Sequence, residues 1–117
     1  MEYITTLPSF DTGTFVVELD GKKMQSLRSF YPRVAAGLHF ADYFGKNLDA
    51  LLDALCDLSS LPPGYQSVCL VIKNAAYFLV KEKKEKREAA LQTLHDATLA
   101  ENRYDNYSFQ FLMLQQG

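Results

Sequence analysis

The sequence predicts an α/β domain in which three parallel strands, the second of them central, are packed with about four helices. Three observations predict it. A β-rich segment, TFVVEL, runs from Thr14 to Leu19, a continuous apolar run, SVCLVI, from Ser67 to Ile72, and an alternating segment, YSFQFLML, from Tyr107 to Leu114. Segments of helical periodicity lie between them, giving the order β, α, α, β, α, α, β. Strands joined through helices favour parallel pairing with right-handed crossovers. A run that is apolar at every position suits a strand covered on both faces, which makes the second strand the central one.

Taken in order, residues 1–13 end in SFDTG and read as an irregular leader, with 14–117 as a single domain. TFVVEL is β-branched and apolar, and Asp20-Gly21 stops it with a turn. Ser26 to Ala36 reads as a helix. Pro32 has no N–H to give, so it is expected in or near the first turn, with a start as late as Ser29. GLHFADYFGK, Gly37 to Lys46, combines two glycines with four aromatic rings counting His39, which suits a packed loop with Phe44 directed to the core and Gly45 at a positive φ, close approach to a partner being the alternative for that glycine.

Asn47 then stands as N-cap of the segment NLDALLDALCDL. On a 100° wheel Leu48, Leu51, Leu52, Leu55 and Leu58 fall on one side, and Asp49, Asp53 and Asp57 fall nearly opposite. LPPGYQ breaks this helix. Asn74 is expected to cap a short helical turn, AAYFLV, ahead of a longer helix from about Lys83 to Ala100 with Ala90, Leu91, Leu94 and Ala97 on its apolar side. In the last strand Tyr107, Phe109 and Phe111 share a face.

At 117 residues and 13.3 kDa the chain has room for one core and not two. A formal charge of -2 exerts no global pull on nucleic acid, so an electrostatic function has to come from local segregation. Such segregation exists. Residues 41–60 hold four Asp against one Lys, whereas KEKKEKRE, Lys81 to Glu88, holds five bases and three acids. The interleaved acids of the second run read as a solvated helix face with i,i+4 pairs rather than a phosphate-binding surface.

The N-terminal residues lack a basic, then apolar, signal pattern, and no stretch approaches a membrane span, so a soluble, cytoplasmic protein is expected. Cys56 and Cys69 lie in apolar runs without metal or redox spacing, which fits a reducing compartment, with a disulfide between them as the alternative. No Gly-rich phosphate loop, Ser-His-Asp set or paired Cys motif is visible, and His39 and His95 are too few for a zinc site with these cysteines. No cofactor or metal is expected.

The aspartate stripe opposes local stability. Like charges four residues apart on a helix cost a few tenths of a kcal/mol per pair, and the macrodipole disfavours Asp57 near the C-terminus while favouring Asp49 near the start. A stripe that costs the free protein suggests a positively charged partner.

YFGKNLDALLDAL, Tyr43 to Leu55, following a strand that ends in LDG, resembles the signature segment of the barstar family of intracellular ribonuclease inhibitors, and the similarity runs from about Phe15 to Leu114. The resemblance implies a two-layer fold with a three-stranded parallel sheet, and inhibition of an extracellular-type ribonuclease whose basic active site is plugged by the second helix and the loop before it, in place of RNA phosphates. It implies no direct binding of nucleic acid or membrane. On the matching positions Tyr43 is a contact aromatic, Asp49 the first interfacial aspartate, Asp53 the central one and Asp96 a further interfacial acid. Leu52 and Leu58 stand where the best-known member of the family has tryptophan, and Asp57 replaces a glycine in the edge that meets the enzyme. Leu52 and Asp57 therefore belong to the expected contact surface with altered chemistry.

Two other readings remain beside this one. The first is a regulatory interaction module on the same fold with a partner that is not a nuclease. The second is a small carboxylate-dependent hydrolase, although solvated carboxylates on an exposed helix suit general acid chemistry poorly.

Overall fold

The computed structural model describes residues 3–41 and 44–117. Four strands, β1 (Tyr3–Ile4), β2 (Thr14–Asp20), β3 (Ser67–Lys73) and β4 (Ser108–Leu114), form one parallel sheet in the order β1-β4-β3-β2. Three α-helices connect them: α1 (Leu27–Gly37) and α2 (Leu48–Cys56) between β2 and β3, and α3 (Lys84–Thr98) between β3 and β4. The sheet thus has four strands where three were expected, and three α-helices where about four were. The extra strand comes from residues read as irregular leader, where Tyr3 pairs with Met113 and Ile4 with Leu114. A two-residue strand has no periodicity to read; its partner at the far end of the chain creates it.

The missing helix is AAYFLV. Only Ala75–Tyr77 turns, as a 3-10 segment, before Phe78 goes extended and Leu79 takes a left-handed φ of 58°. Asn74 does not cap it. Its backbone is itself left-handed, and its side-chain amide donates to Asp20 Oδ1 at 2.9 Å, tying the ends of β2 and β3 together. That bond, with the Lys22 N–H, holds the half-buried Asp20 carboxyl below its usual range.

β3 has neighbours on both sides, and its side chains divide between two apolar layers. Val68, Leu70 and Ile72 enter the main core with Phe30, Leu51, Leu55, Leu94 and Phe109. Cys69 and Val71 point the other way, where Ile4, Leu7 and Phe10 pack on them. Because β1 and β2 lie at opposite edges, residues 5–13 have to cross the sheet, about 14 Å at ordinary strand spacing. Helices cover one face, and this crossing segment covers the other. The Cys69 thiol, enclosed there, is pushed up to about 11 by burial. Both cysteines are free and they sit in different layers.

Pro32 lies deeper in α1 than its chemistry predicts, at the sixth residue rather than in the first turn. The start is fixed elsewhere. Ser26 and Ser29 exchange side-chain to backbone bonds as a reciprocal cap, and Glu82 Oε2 accepts the Leu27 N–H at 2.7 Å. Pro32 is exposed, and so is Arg28, whose carbonyl it leaves without a helical donor, so the gap in the ladder lies on the solvent side of the helix. At the other end of α1 a Cβ on Gly37 would come within 2.8 Å of Val17 Cγ1, so glycine lets the helix close on β2.

Candidate protein-binding surface

Asn47 starts α2 as expected, its side-chain oxygen accepting the Ala50 N–H at 2.8 Å. Leu51, Leu55 and Cys56 are buried, and Asp49, Asp53 and Asp57 are exposed. Burial of the leucines, roughly 1.5–3 kcal/mol each, outweighs the few tenths that the acid stripe costs. Among the described residues the ion pairs are Lys84–Glu88 and Arg103–Asp105, so none of the described cations stands within ion-pair distance of the stripe.

The three acids do not share one environment. Asp53 and Asp57 line an open pocket of about 430 Å³ whose other walls include His39, Phe40 and Phe44 and the hydroxyl-bearing Ser59 and Ser60. His39 reaches this rim from a left-handed φ of 58°, with its ring edge-on to Phe15. Phe44 stacks edge-on with Tyr31 and Phe40 and is half-buried against the core. Asp49 faces a different and wider cleft of about 950 Å³, together with Arg28, Lys46, Glu82 and Lys86.

Asp96 is half-buried on α3 and accepts the Gln92 side-chain amide at 2.8 Å. Burial pushes the Cys56 thiol up, opposed by the Arg103 guanidinium, and the carboxylates of Asp105, Asp53 and Asp96 are all near enough to push it further.

Leu52 is half-buried against the core and Leu58 is buried at 1% exposure. The side chain of Leu58 is therefore unavailable to another molecule. Tyr43 lies outside the described residues. Gly45, expected at a positive φ, does not have one: among the described residues Gly64 is the glycine that does. What Gly45 supplies is space, since a Cβ there would stand 3.3 Å from Ala50 Cβ at the start of α2.

The end of α2 is held by residues that the sequence reading passed over. Asp57, in the C-cap position, is extended rather than left-handed, so no glycine-type cap closes the helix. The segment Arg103-Tyr104-Asp105 takes over that task. Arg103 Nη2 donates to Leu55 O at 2.9 Å and Nη1 to Ala97 O at 2.8 Å, while the Tyr104 N–H donates to Cys56 O at 2.9 Å. One guanidinium thereby joins the ends of α2 and α3. Asp105 pairs with it at 2.8 Å and accepts the Leu58 N–H at 2.7 Å and the Tyr107 N–H at 3.1 Å. Burial alone would raise the Asp105 carboxyl; the guanidinium and these N–H groups outweigh it and hold it below the usual range. A usable signal was present in the sequence: Arg and Asp two apart around an aromatic residue put the charges on one side of an extended segment and the ring on the other.

Among the described residues no helix is long and apolar enough to cross a membrane, and no group of three or more His, Cys, Asp or Glu could hold a metal ion. The arrangement places exposed acids of one helix beside an aromatic-walled pocket. A family model described as Barstar (barnase inhibitor) matches residues 14–114. The chain belongs to the barstar family, a family of ribonuclease inhibitors, in agreement with the resemblance read from residues 43–55. No curated protein matches the chain.

Proposed function

We propose that this protein inhibits an extracellular-type ribonuclease by covering its active site with α2 and the loop before it, and that it does so in the cytoplasm of a cell needing protection from that enzyme. The observation that carries this reading is the pair Asp53 and Asp57, two exposed carboxylates on one pocket with no cation of their own. A ribonuclease cleft presents cations to phosphate oxygens, and carboxylate oxygens on a preformed surface offer the same charge without a scissile bond. The pocket suits a guanidinium or ammonium head against the carboxylates with its stem along Phe40 and Phe44.

Asp53, with an acid on either side of it along the helix, is the centre of the surface. Asp57, Asp49 and Asp96 extend it, and Tyr43 and Leu52 contribute on the loop side and along the helix. The buried Leu58 and half-buried Leu52 favour a second reading, in which the fold keeps its acidic face for a partner other than a nuclease.

Titration of barnase and other small basic ribonucleases with the purified protein separates the two. The inhibitor reading expects stoichiometric loss of RNA cleavage, and Asp53→Ala weakens it by about 30-fold or more, the size of an interface hot spot, a class for which this family itself supplies standard examples. Folded protein that holds none of these enzymes supports the second reading. Association is also expected to slow as salt rises from low to physiological concentration, because steering by exposed charge is screened.

A further inference from the structure

Among the described residues Tyr104 is the most exposed large hydrophobic one, at 78%, and it stands between two charged residues whose side chains are nearly enclosed, Arg103 and Asp105, at 3% and 5%. An exposed ring is ordinarily mobile. This one is carried on backbone fixed from both sides: its own N–H bonds Cys56 O, Arg103 spans Leu55 O and Ala97 O, and Asp105 holds the Leu58 and Tyr107 N–H groups. Those bonds set it at the C-terminal end of α2, beside Cys56 and Asp57 and next to the α3 end that follows Asp96.

The other exposed tyrosines differ. Tyr77 already has Lys22 over its ring at 5.3 Å, and Tyr3 is on the two-residue strand at the sheet edge. Among the described residues no cation or second ring covers Tyr104.

We propose that Tyr104 is a contact residue of the acidic surface, its ring face receiving a lysine or arginine from the rim of the same basic nuclease cleft. This rests on the inhibitor reading above. The acids of α2, the helix to whose end the Tyr104 backbone is bonded, select a partner surface rich in cations, and a cation over an aromatic face is attracted to the ring quadrupole. With its backbone anchored and only two side-chain torsions left to fix, Tyr104 loses less entropy on contact than a long flexible side chain on a loose loop would, and tyrosine is enriched among interface hot spots. Tyr104 also supplies an aromatic group near the position where buried Leu58 supplies none.

The test compares wild type with Tyr104→Ala, Tyr104→Phe and Asp53→Ala against whichever of barnase and other small basic ribonucleases the wild type inhibits, recording association and dissociation rates and the urea midpoint of each free protein. Tyr104→Ala is expected to weaken binding about tenfold, chiefly through faster dissociation, with Tyr104→Phe within about threefold of wild type. Both variants should keep the wild-type midpoint, since the ring is outside the core. If Asp53→Ala loses inhibition while Tyr104→Ala binds as wild type does, the ring is outside the interface and the inference fails alone. If no enzyme of the set is held by the wild type, it falls together with the inhibitor reading.

Discussion

Asp105 and Asp53 both lie close enough to Cys56 to affect its thiol, yet the molecule treats them in opposite ways. Asp105 is nearly enclosed, and it is engaged by the Arg103 guanidinium and by the N–H groups of Leu58 and Tyr107. Asp53 is exposed, has no paired cation, and has an acid four residues away on each side. A charge that serves the fold is saturated inside the chain. A charge left over on a rigid helix, at a small cost to that helix, is available to another molecule.

The contrast breaks hardest at the enclosed pair. Arg103→Met leaves Asp105 a buried charge without its counter-ion and frees the Leu55 and Ala97 carbonyls, so about 3–5 kcal/mol of stability should be lost, read as a large drop in the urea midpoint. An unchanged midpoint would mean that the ends of α2 and α3 are held by packing alone.

Acid gives the same contrast without mutation. The Asp105 carboxyl is held below its unfolded value of about 3.9, so its contribution is fully present above that pH and is lost as pH falls through the folded value. Thermal unfolding between pH 6 and pH 2 should show this loss, and Asp105→Asn should flatten the curve while lowering stability at neutral pH.

A smaller effect is expected at Glu82, which lies in the charged run at the start of α3 and caps α1 through Leu27. Glu82→Gln should cost about 1 kcal/mol, typical of a weakened helix cap, by the same urea measurement. The smallest effect has the opposite sign. Asp53→Asn relieves repulsion from Asp49 and Asp57, so the free protein should be as stable as wild type or a few tenths of a kcal/mol more stable, even as binding is lost. Asn at 105 destabilising and Asn at 53 not would sharpen the distinction between the two carboxylates; equal losses would erase it.

What could be read from sequence was what repeats locally. α2 declared itself through leucines and aspartates on opposite sides of one wheel, β3 through an unbroken apolar run, and the family through the residues around Asn47. The features that escaped are made by distant partners. β1 exists only because β4 lies beside it, the start of α1 is set partly by Glu82, and the end of α2 is closed by Arg103 in place of a glycine. AAYFLV looked helical by composition, but Leu79 is buried with its N–H bonded to Met24 O, and that tertiary bond accompanies the break in the turn. At the surface itself, spacing put Asp49, Asp53 and Asp57 on one stripe, and the folded loop divides them between two depressions.

The pairing of Tyr3 with Met113 has a consequence for synthesis. A ribosome makes β1 well before β4, so Tyr3 and Ile4 have no strand to join until β4 has emerged. The long loop so closed also makes this contact entropically late. Until then Cys69 and Val71 on β3 lack Leu114 beside them and the full apolar cover of their layer. Leu7, Phe10 and Val16 precede β3 in the chain, so what arrives last is Leu112 and Leu114, and the reverse layer of the sheet closes only when β4 does.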